Sequence, residues 1–219
     1  MKEEGLTTSR RPYRMRARAE AAEETRRRIM HAAIALYAER WLDQIALEEV
    51  AARAGVTVQT VLRRFGNKEG LIAAAGDELR RHVEEQRATA PVGDVAGVIR
   101  TLFDHYEEVG EIVLRSLAQE GMSAAIRTLT DQGRASHHAW VRRTFAPFIA
   151  DAPAADRGRI HAQFAALTDV YVWKLLRRDL GLDRTQAEWA VQEMIEALRG
   201  AHERADSAAQ ERTAGHGHD

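Results

Sequence analysis

The segment from Leu47 to Phe65 carries side chains that can recognise nucleic acid. Val58, Gln59, Leu62 and Arg63 recur at spacings of three and four residues, so on a helix they share one exposed face. Glutamine and arginine can form paired hydrogen bonds with the edges of bases. A short helix with such a face has the dimensions of a major-groove recognition element. The chemistry indicated is recognition of double-stranded DNA.

Two short helices joined by a tight turn are predicted to position that face. The first runs from about Leu47 to Ala54, and Gly55 can take the left-handed conformation that ends it. Thr57 can cap the second helix with its hydroxyl oxygen. The second helix is too short to persist alone, so Val61 and Phe65, four residues apart, are expected to hold it against its neighbour.

Three stretches of the N-terminal third follow one another without gaps. They are an alanine-rich helix ending in LYAER, then EEVAARAGVTVQTVLRRF, then GNKEGL. Through them, residues Ile29 to Leu71 resemble the DNA-binding domain of the TetR family of bacterial transcriptional regulators. The resemblance implies an all-α protein, with an N-terminal three-helix helix-turn-helix domain followed by a larger helical ligand-binding and dimerisation domain. It also implies a homodimeric repressor that a small-molecule effector of unknown identity releases from its operator.

The resemblance also implies which residues contact DNA. Gln59 and Arg63 suit base edges, while Thr57, Thr60 and Lys68 suit phosphates. The N-terminal end of the first helix approaches the phosphate backbone in the family, although ordinary solvated charge would also explain its arginines. The full candidate set is Thr25, Arg26, Thr57, Val58, Gln59, Thr60, Leu62, Arg63 and Lys68.

Three residues depart from the family pattern. Trp41 stands where a helix-ending glycine is usual, and Ala46 stands where a serine or threonine cap is usual. Loss of a cap typically costs about 1 kcal/mol, which bears on the helix boundaries between residues 40 and 47. Leu62 replaces a commonly aromatic phosphate-contacting residue, which shifts the expected contribution towards Arg63.

Four segments are predicted along the chain. A basic flexible arm covers residues 1–20, the helix-turn-helix domain residues 21–67, the ligand-binding and dimerisation domain residues 68–200, and a disordered tail residues 201–219. The arm either neutralises phosphates or is a solvated extension without a role. The helices are expected at about 22–40, 47–54, 57–65, 68–88, 94–109, 111–120, 123–149, 154–180 and 184–199.

The last two helices carry apolar stripes along their length. In the family such helices form a four-helix dimer interface, and a two-fold axis is the usual symmetry. The alternative is that both stripes fill the core of a monomer. The candidate interface residues are Phe164, Leu167, Tyr171, Ala187, Ala190, Val191, Met194 and Leu198.

Large side chains are concentrated in the central helices. Most aromatic residues at helical spacing are ordinary core, but in the family this region encloses a cavity for a small molecule. The candidate lining is therefore Phe103, Tyr106, Met122, Trp140, Phe145, Phe148, Tyr171 and Trp173.

Composition excludes several kinds of chemistry. The 219 residues include no cysteine, so disulfides, thiolate metal sites and cysteine nucleophiles are excluded. No catalytic, nucleotide-binding or metal-binding motif occurs, and we expect no cofactor and no enzymatic activity. No apolar run is long enough for a membrane span, which favours a cytoplasmic location. The competing hypothesis is an all-helical enzyme or ligand carrier whose helix-turn-helix segment is only structural.

Overall fold

The computed structural model describes the backbone of residues 10–215 and the side chains of residues 15–202 and of Arg204. Most of these residues lie in α-helices. The predicted all-α fold class is confirmed. A 3-10 turn, Leu42–Gln44, follows the first helix, and a π-helical turn, Leu175–Asp179, continues the ninth. The helices of this part of the chain are α1 (Arg10–Glu39), α2 (Leu47–Ala54), α3 (Val58–Phe65), α4 (Lys68–Ala88), α5 (Val95–Gln119), α6 (Ala124–Thr144), α7 (Ala146–Ala150), α8 (Arg157–Leu167), α9 (Val170–Lys174) and α10 (Arg184–Gly215).

Two compact units divide the chain between Leu79 and Arg80. Helix α4 continues through this division without a break. Its first turns bury Leu71, Ile72 and Ala75, which explains why the first unit extends past the boundary predicted at residue 68. The first unit holds the helix-turn-helix, and the second, larger unit holds the remaining helices.

The core of the first unit consists of the apolar stripes of its four helices. Ile29 and Leu36 on α1, Val50 on α2, Val61 on α3 and Leu71 on α4 are all buried. Because α2 and α3 have only eight residues each, packing rather than intrinsic propensity keeps them helical. Full burial of a side chain such as Val61 contributes roughly 1.5–3 kcal/mol.

The core of the second unit is arranged around α5, which packs against α6, α9 and α10. Phe145 and Phe164 stack at its centre with their ring centroids 4.5 Å apart. The largest buried apolar side chains of this core are Ile99, Leu102, Phe103, Tyr106, Trp140, Phe145, Ile160, Phe164, Trp173 and Ile195.

The two ends of the chain are more helical than predicted. Helix α1 begins at Arg10, so the prediction of a flexible arm is wrong from that residue onward; residues 1–9 lie outside the described part. Helix α10 continues to Gly215, so the predicted disordered tail is wrong over residues 201–215, and only residues 216–219 lie outside the description. Residues 10–20 are rich in Arg and residues 201–215 in Ala, and both residue types favour helix without an apolar stripe.

Helix boundaries in the second unit also differ from those predicted. Helix α5 passes through Gly110, where a break was expected. A Cβ at this position would lie 2.6 Å from Cζ3 of Trp173. The glycine serves close helix packing rather than a turn. Conversely, α6 stops before Phe145 and α8 stops before Thr168, within segments predicted to be continuous.

Candidate functional site

Local hydrogen bonding fixes the turn between α2 and α3. Gly55 has φ 66°, and its N–H donates to the carbonyl of Ala52 at 3.1 Å while that of Val56 donates to Ala51 at 2.9 Å. These paired bonds form a Schellman motif, which satisfies the last carbonyls of α2. The Thr57 hydroxyl oxygen accepts from the Thr60 backbone N–H at 3.3 Å, as a helix N-cap does.

The outer face of α3 has the composition that the sequence predicts. Gln59 and Arg63 are exposed, and within the described part of the chain neither makes a hydrogen bond or ion pair. Val58 and Leu62 flank them and are half-buried, while Val61 on the opposite side is completely buried. The face therefore offers one amide and one guanidinium that are available to an external partner.

The candidate phosphate contacts are distributed around the recognition helix. Thr57 is exposed and Thr60 half-buried at its start, and their hydroxyl oxygens lie 3.0 Å apart. Thr25 already donates its hydroxyl to the carbonyl of Ala21 at 2.8 Å. Arg26 lies over the Phe65 ring, with its guanidinium carbon 5.7 Å from the ring centroid. Its side chain thus links α1 to the end of α3.

Lys68 is held in place by the start of α4. The Asn67 side-chain oxygen accepts from the Gly70 N–H at 2.8 Å, which caps the helix. A Cβ on Gly70 would collide with the carbonyl oxygen of Phe65, so α3 and α4 meet very closely here. Lys68 is half-buried and makes no ion pair among the described side chains. Two residues separate it from the end of α3, and it shares the rigid support of that helix.

Ala46, one of the residues that depart from the family pattern, is accommodated by other contacts. Ala46 precedes α2 without a side-chain cap, but its N–H donates to a carboxylate oxygen of Glu49 at 3.2 Å. The other oxygen of Glu49 accepts from Arg40 at 2.8 Å, and this hydrogen bond lowers the pKa of Glu49. The end of α1 is thereby tied to the start of α2.

The predicted effector lining divides into two groups. Phe103, Tyr106, Trp140, Phe145 and Trp173 are buried in the core of the second unit, and Phe148 packs against that core. Met122 and Tyr171 were expected among them but are 69% and 58% exposed. Met122 lies in the turn between α5 and α6, and Tyr171 lies on the outer side of α9, so neither contributes to an internal lining.

A buried polar cluster lies among these aromatic residues and was not predicted. Arg87 is only 6% exposed, and its guanidinium carbon lies 5.2 Å from the Trp140 ring centroid and 5.7 Å from that of Tyr106. His105 and His137 are also buried. One feature of the sequence indicated that Arg87 is buried: it follows Leu79 and Val83 at four-residue spacing, on the inner side of α4.

The predicted dimer interface is partly inside the fold. Phe164, Ala187 and Val191 belong to the core of the second unit, so they cannot form an exposed surface. Leu167, Ala190 and Leu198 are half-buried, whereas Tyr171 and Met194 are exposed. Trp189 is 64% exposed on α10 and was missed, because it lies beside the stripe rather than within it.

Residues 29–75 match a family model described as bacterial regulatory proteins of the tetR family. This segment of the chain is therefore similar to the tetR family. The match covers α2, the turn after it, and α3, whose outer face carries Gln59 and Arg63. The match supports a DNA-binding regulator.

Solved structures share the fold of this chain. A tetR-family transcriptional regulator from Streptomyces coelicolor is 20% identical, with a TM-score of 0.64 over 88% of this chain and 89% of that one. A transcriptional regulator from Rhodococcus sp. Rha1 is 16% identical, with a TM-score of 0.63 over 78% of this chain and 94% of that one. No curated protein is detectably similar in sequence. None of the described helices is long and apolar enough to cross a membrane.

Proposed function

We propose that this protein is a homodimeric repressor of the TetR family, and that a small molecule bound in its second unit releases it from its operator. The observation that carries the proposal is the face of α3. Gln59 and Arg63 lie one helical turn apart, outward, on a helix that is capped by Thr57 and anchored by Val61. Such a face can enter a major groove and contact base edges.

The side chains of that face suit direct recognition of bases. Arginine pairs best with guanine and glutamine with adenine, and each good bidentate contact provides about 1–3 kcal/mol of discrimination. Val58 and Leu62 beside them can contact thymine methyl groups. Thr57, Thr60 and Lys68 are the candidate phosphate contacts, with Thr25 and Arg26 further back on α1. Phosphate contacts fix the position of the helix, and base contacts provide the specificity.

A dimer follows from the size of the recognition element. One eight-residue helix contacts few base pairs, whereas two copies related by a two-fold axis reach half-sites about 34–36 Å apart. The exposed side chains Trp189 and Met194 on α10, and Tyr171 on α9, give the second unit apolar surface for a partner copy.

Release by an effector requires that ligand binding be coupled to DNA binding. The aromatic core of the second unit is the proposed ligand region, and α4 is one continuous helix whose residues belong to both units. A coupling free energy of about 1–3 kcal/mol is usual between two sites. That range suffices to release DNA when affinity is close to the working concentration.

Titration of labelled operator DNA, selected from random sequence, tests the recognition face. We expect Arg63→Ala to weaken binding about 5- to 150-fold and to relax specificity at one position of each half-site. Lys68→Ala is expected to weaken all sequences evenly. It should also reduce the slope of log affinity against log salt by about 0.9 for each phosphate that the variant no longer neutralises.

Arg53→Ala is the matched control, because Arg53 is exposed on α2 but paired with Glu39 at 3.0 Å, away from the face of α3. It should bind like the parent. If Arg63→Ala and Lys68→Ala also bind like the parent, the recognition face is assigned wrongly. Binding that is indifferent to salt would instead favour the enzyme or ligand-carrier alternative.

A further inference from the structure

We propose that Arg87 and Tyr106 form a binding site for an organic monocarboxylate with a flat apolar body. The assignment deepens the proposed function, because it names the chemical class of the effector and rests on that function only for the regulatory outcome. The site lies wholly within the second unit, between α4 and α5, with α6 and the turn at Thr168 around it.

The Arg87 guanidinium is buried without a counter-charge. An arginine side chain is positively charged and can only donate hydrogen bonds. Its two Nη atoms contact only neutral acceptors, His137 Nδ1 at 3.5 Å and the Tyr106 hydroxyl at 3.4 Å, and both distances are long. Its Nε is buried with no hydrogen-bond partner, and no carboxylate of the described residues lies within 4.0 Å. Buried charges are normally paired, so this guanidinium is suited to bind an anion.

The histidines of the cluster carry no negative charge that could balance Arg87. Because the guanidinium can only donate, His137 Nδ1 must accept, and its Nε2–H then donates to the Ala165 carbonyl at 3.2 Å. His137 is therefore the neutral Nε2 tautomer. His105 Nδ1 is a second buried atom without a partner. Neutral imidazoles leave the positive charge of Arg87 unbalanced.

The oxygen-bearing neighbours do not balance the charge either. Tyr106 donates its hydroxyl to the Thr168 carbonyl at 3.1 Å, and burial raises the pKa of Tyr106 to about 12, so the phenol is uncharged at neutral pH. Asp169 is close enough to influence Tyr106, but its carboxylate accepts from the Tyr171 N–H at 2.9 Å and makes no ion pair with Arg87.

A carboxylate fits the unused donors. The Nε–H and one Nη–H of a guanidinium form the fork that binds both oxygens of a carboxylate, and Nε is the donor that lacks a partner here. A single negative charge balances one guanidinium, whereas a phosphate dianion would leave an excess. The rings of Trp140 and Tyr106 flank the guanidinium, so the ligand body beside the carboxylate would contact aromatic side chains.

The backbone around Arg87 is anchored independently of its side chain. The Arg87 carbonyl accepts from Trp140 Nε1 at 3.2 Å and from Arg143 Nη2 at 2.6 Å. A side-chain substitution leaves both bonds in place. Arg87→Met therefore removes the charge and the fork while keeping the helix end attached to α6.

Thermal unfolding of the full chain, without DNA, tests the site with benzoate as the probe. At ten times its Kd, benzoate should raise the Tm of the parent by about 3 °C or more, while neutral benzamide and an equal concentration of chloride should not. Arg87→Met should lose the response and, without benzoate, unfold at or above the parent Tm, since a buried unpaired charge is gone. The control Arg157→Met, an exposed arginine of α8, should respond like the parent.

A parent Tm that benzoate raises no more than benzamide overturns the proposal, as does an equal benzoate response in Arg87→Met. If Arg87→Met does not fold, Arg87→Lys keeps the charge without the fork and should weaken benzoate binding at least about tenfold; unchanged binding there also overturns it. Operator titrations are separate. Benzoate that binds through Arg87 without releasing DNA refutes the effector role and leaves the site intact.

Discussion

The buried histidines determine how the second unit responds to acid. Burial, together with the nearby Arg87 charge, lowers the pKa of His137 to about 4 and that of His105 to about 2. In the unfolded chain an ordinary histidine has a pKa of about 6.5. As pH falls below that value the unfolded chain takes up the proton first, so stability is lost with acidification until the folded-state pKa is reached.

Replacing His137 should therefore make the protein more resistant to mild acid. Between pH 7 and pH 5 the parent should lose about 2 kcal/mol of unfolding free energy through His137, and His137→Gln should not lose this contribution. Urea unfolding at the two pH values measures the difference. His138→Gln is the control, because the neighbouring side chain is exposed. Equal acid sensitivity of His137→Gln and the parent would show that His137 is not held neutral.

Single residues were predictable where a side chain has one plausible environment. Gln59 and Arg63 face outward as expected, because Val61 and Phe65 leave no other orientation for α3. Arg87 was missed, since a charged residue on the inner side of a helix looks like a solvated one until its neighbours are known. Tyr171 was misplaced because the helix carrying it is interrupted at Thr168, which turns the side chain outward.

At the scale of elements, the packing of α5 depends on the close approach of the Trp173 ring to Gly110. The Trp173 ring lies against the Gly110 backbone, and its Nε1 donates to a Glu107 carboxylate oxygen at 3.0 Å, while the Arg178 guanidinium covers the ring with its carbon 4.5 Å from the ring centroid. These contacts fix the indole, so it cannot easily move away from an added methyl group. Glycine is required at this position for packing rather than for its dihedral angles.

Gly110→Ala should consequently destabilise the second unit although alanine favours helix. Overpacking of this kind typically costs about 1–3 kcal/mol. Gly133→Ala is the matched control: it lies inside α6 with open space around its Cα, and should stabilise by up to about 1 kcal/mol. Denaturant unfolding compares the two variants. If Gly110→Ala is as stable as Gly133→Ala, the indole is free to shift.

Elements with strong local signals were predicted well, and those without were not. The α2–turn–α3 motif follows from Gly55 and Thr57, whose roles are set by backbone conformation and a single hydrogen bond. The breaks at Phe145 and Thr168 were not predicted, because the weaker signals beside them, Pro147 in the first turn of α7 and the Asp169 cap of α9, were not used. Helix formers near residue 10 carry no stripe, so periodicity alone placed the start of α1 too late.

At the scale of the whole molecule, the exposed apolar side chains of α10 bear on assembly. Trp189 and Met194 are exposed in the single chain, and the proposed homodimer would bury them. Trp189→Arg should raise the dimer dissociation constant at least about thirtyfold, since an aromatic interface residue is commonly worth 2 kcal/mol or more. Sedimentation equilibrium measures the change.

Met122→Arg is the control for assembly, because Met122 is equally exposed but lies in the turn between α5 and α6. It should leave the dissociation constant unchanged. Dimers that tolerate Trp189→Arg would place the interface elsewhere, and a parent that is strictly monomeric would remove the homodimer from the proposed function.

The division into a smaller N-terminal and a larger C-terminal unit was predictable from the motif. The interface residues were not predictable, because burial inside a unit and burial between copies produce the same apolar stripe.

The four tryptophans give the molecule its own optical reporters. Trp41 and Trp189 are exposed, whereas Trp140 and Trp173 are buried. An ionic quencher in solvent would suppress the emission of the first pair and leave that of the second. Because the Trp140 ring lies 5.2 Å from the Arg87 guanidinium carbon, neutralising that charge would alter the remaining fluorescence. Occupancy beside Arg87 can thus be followed in unlabelled protein by light alone.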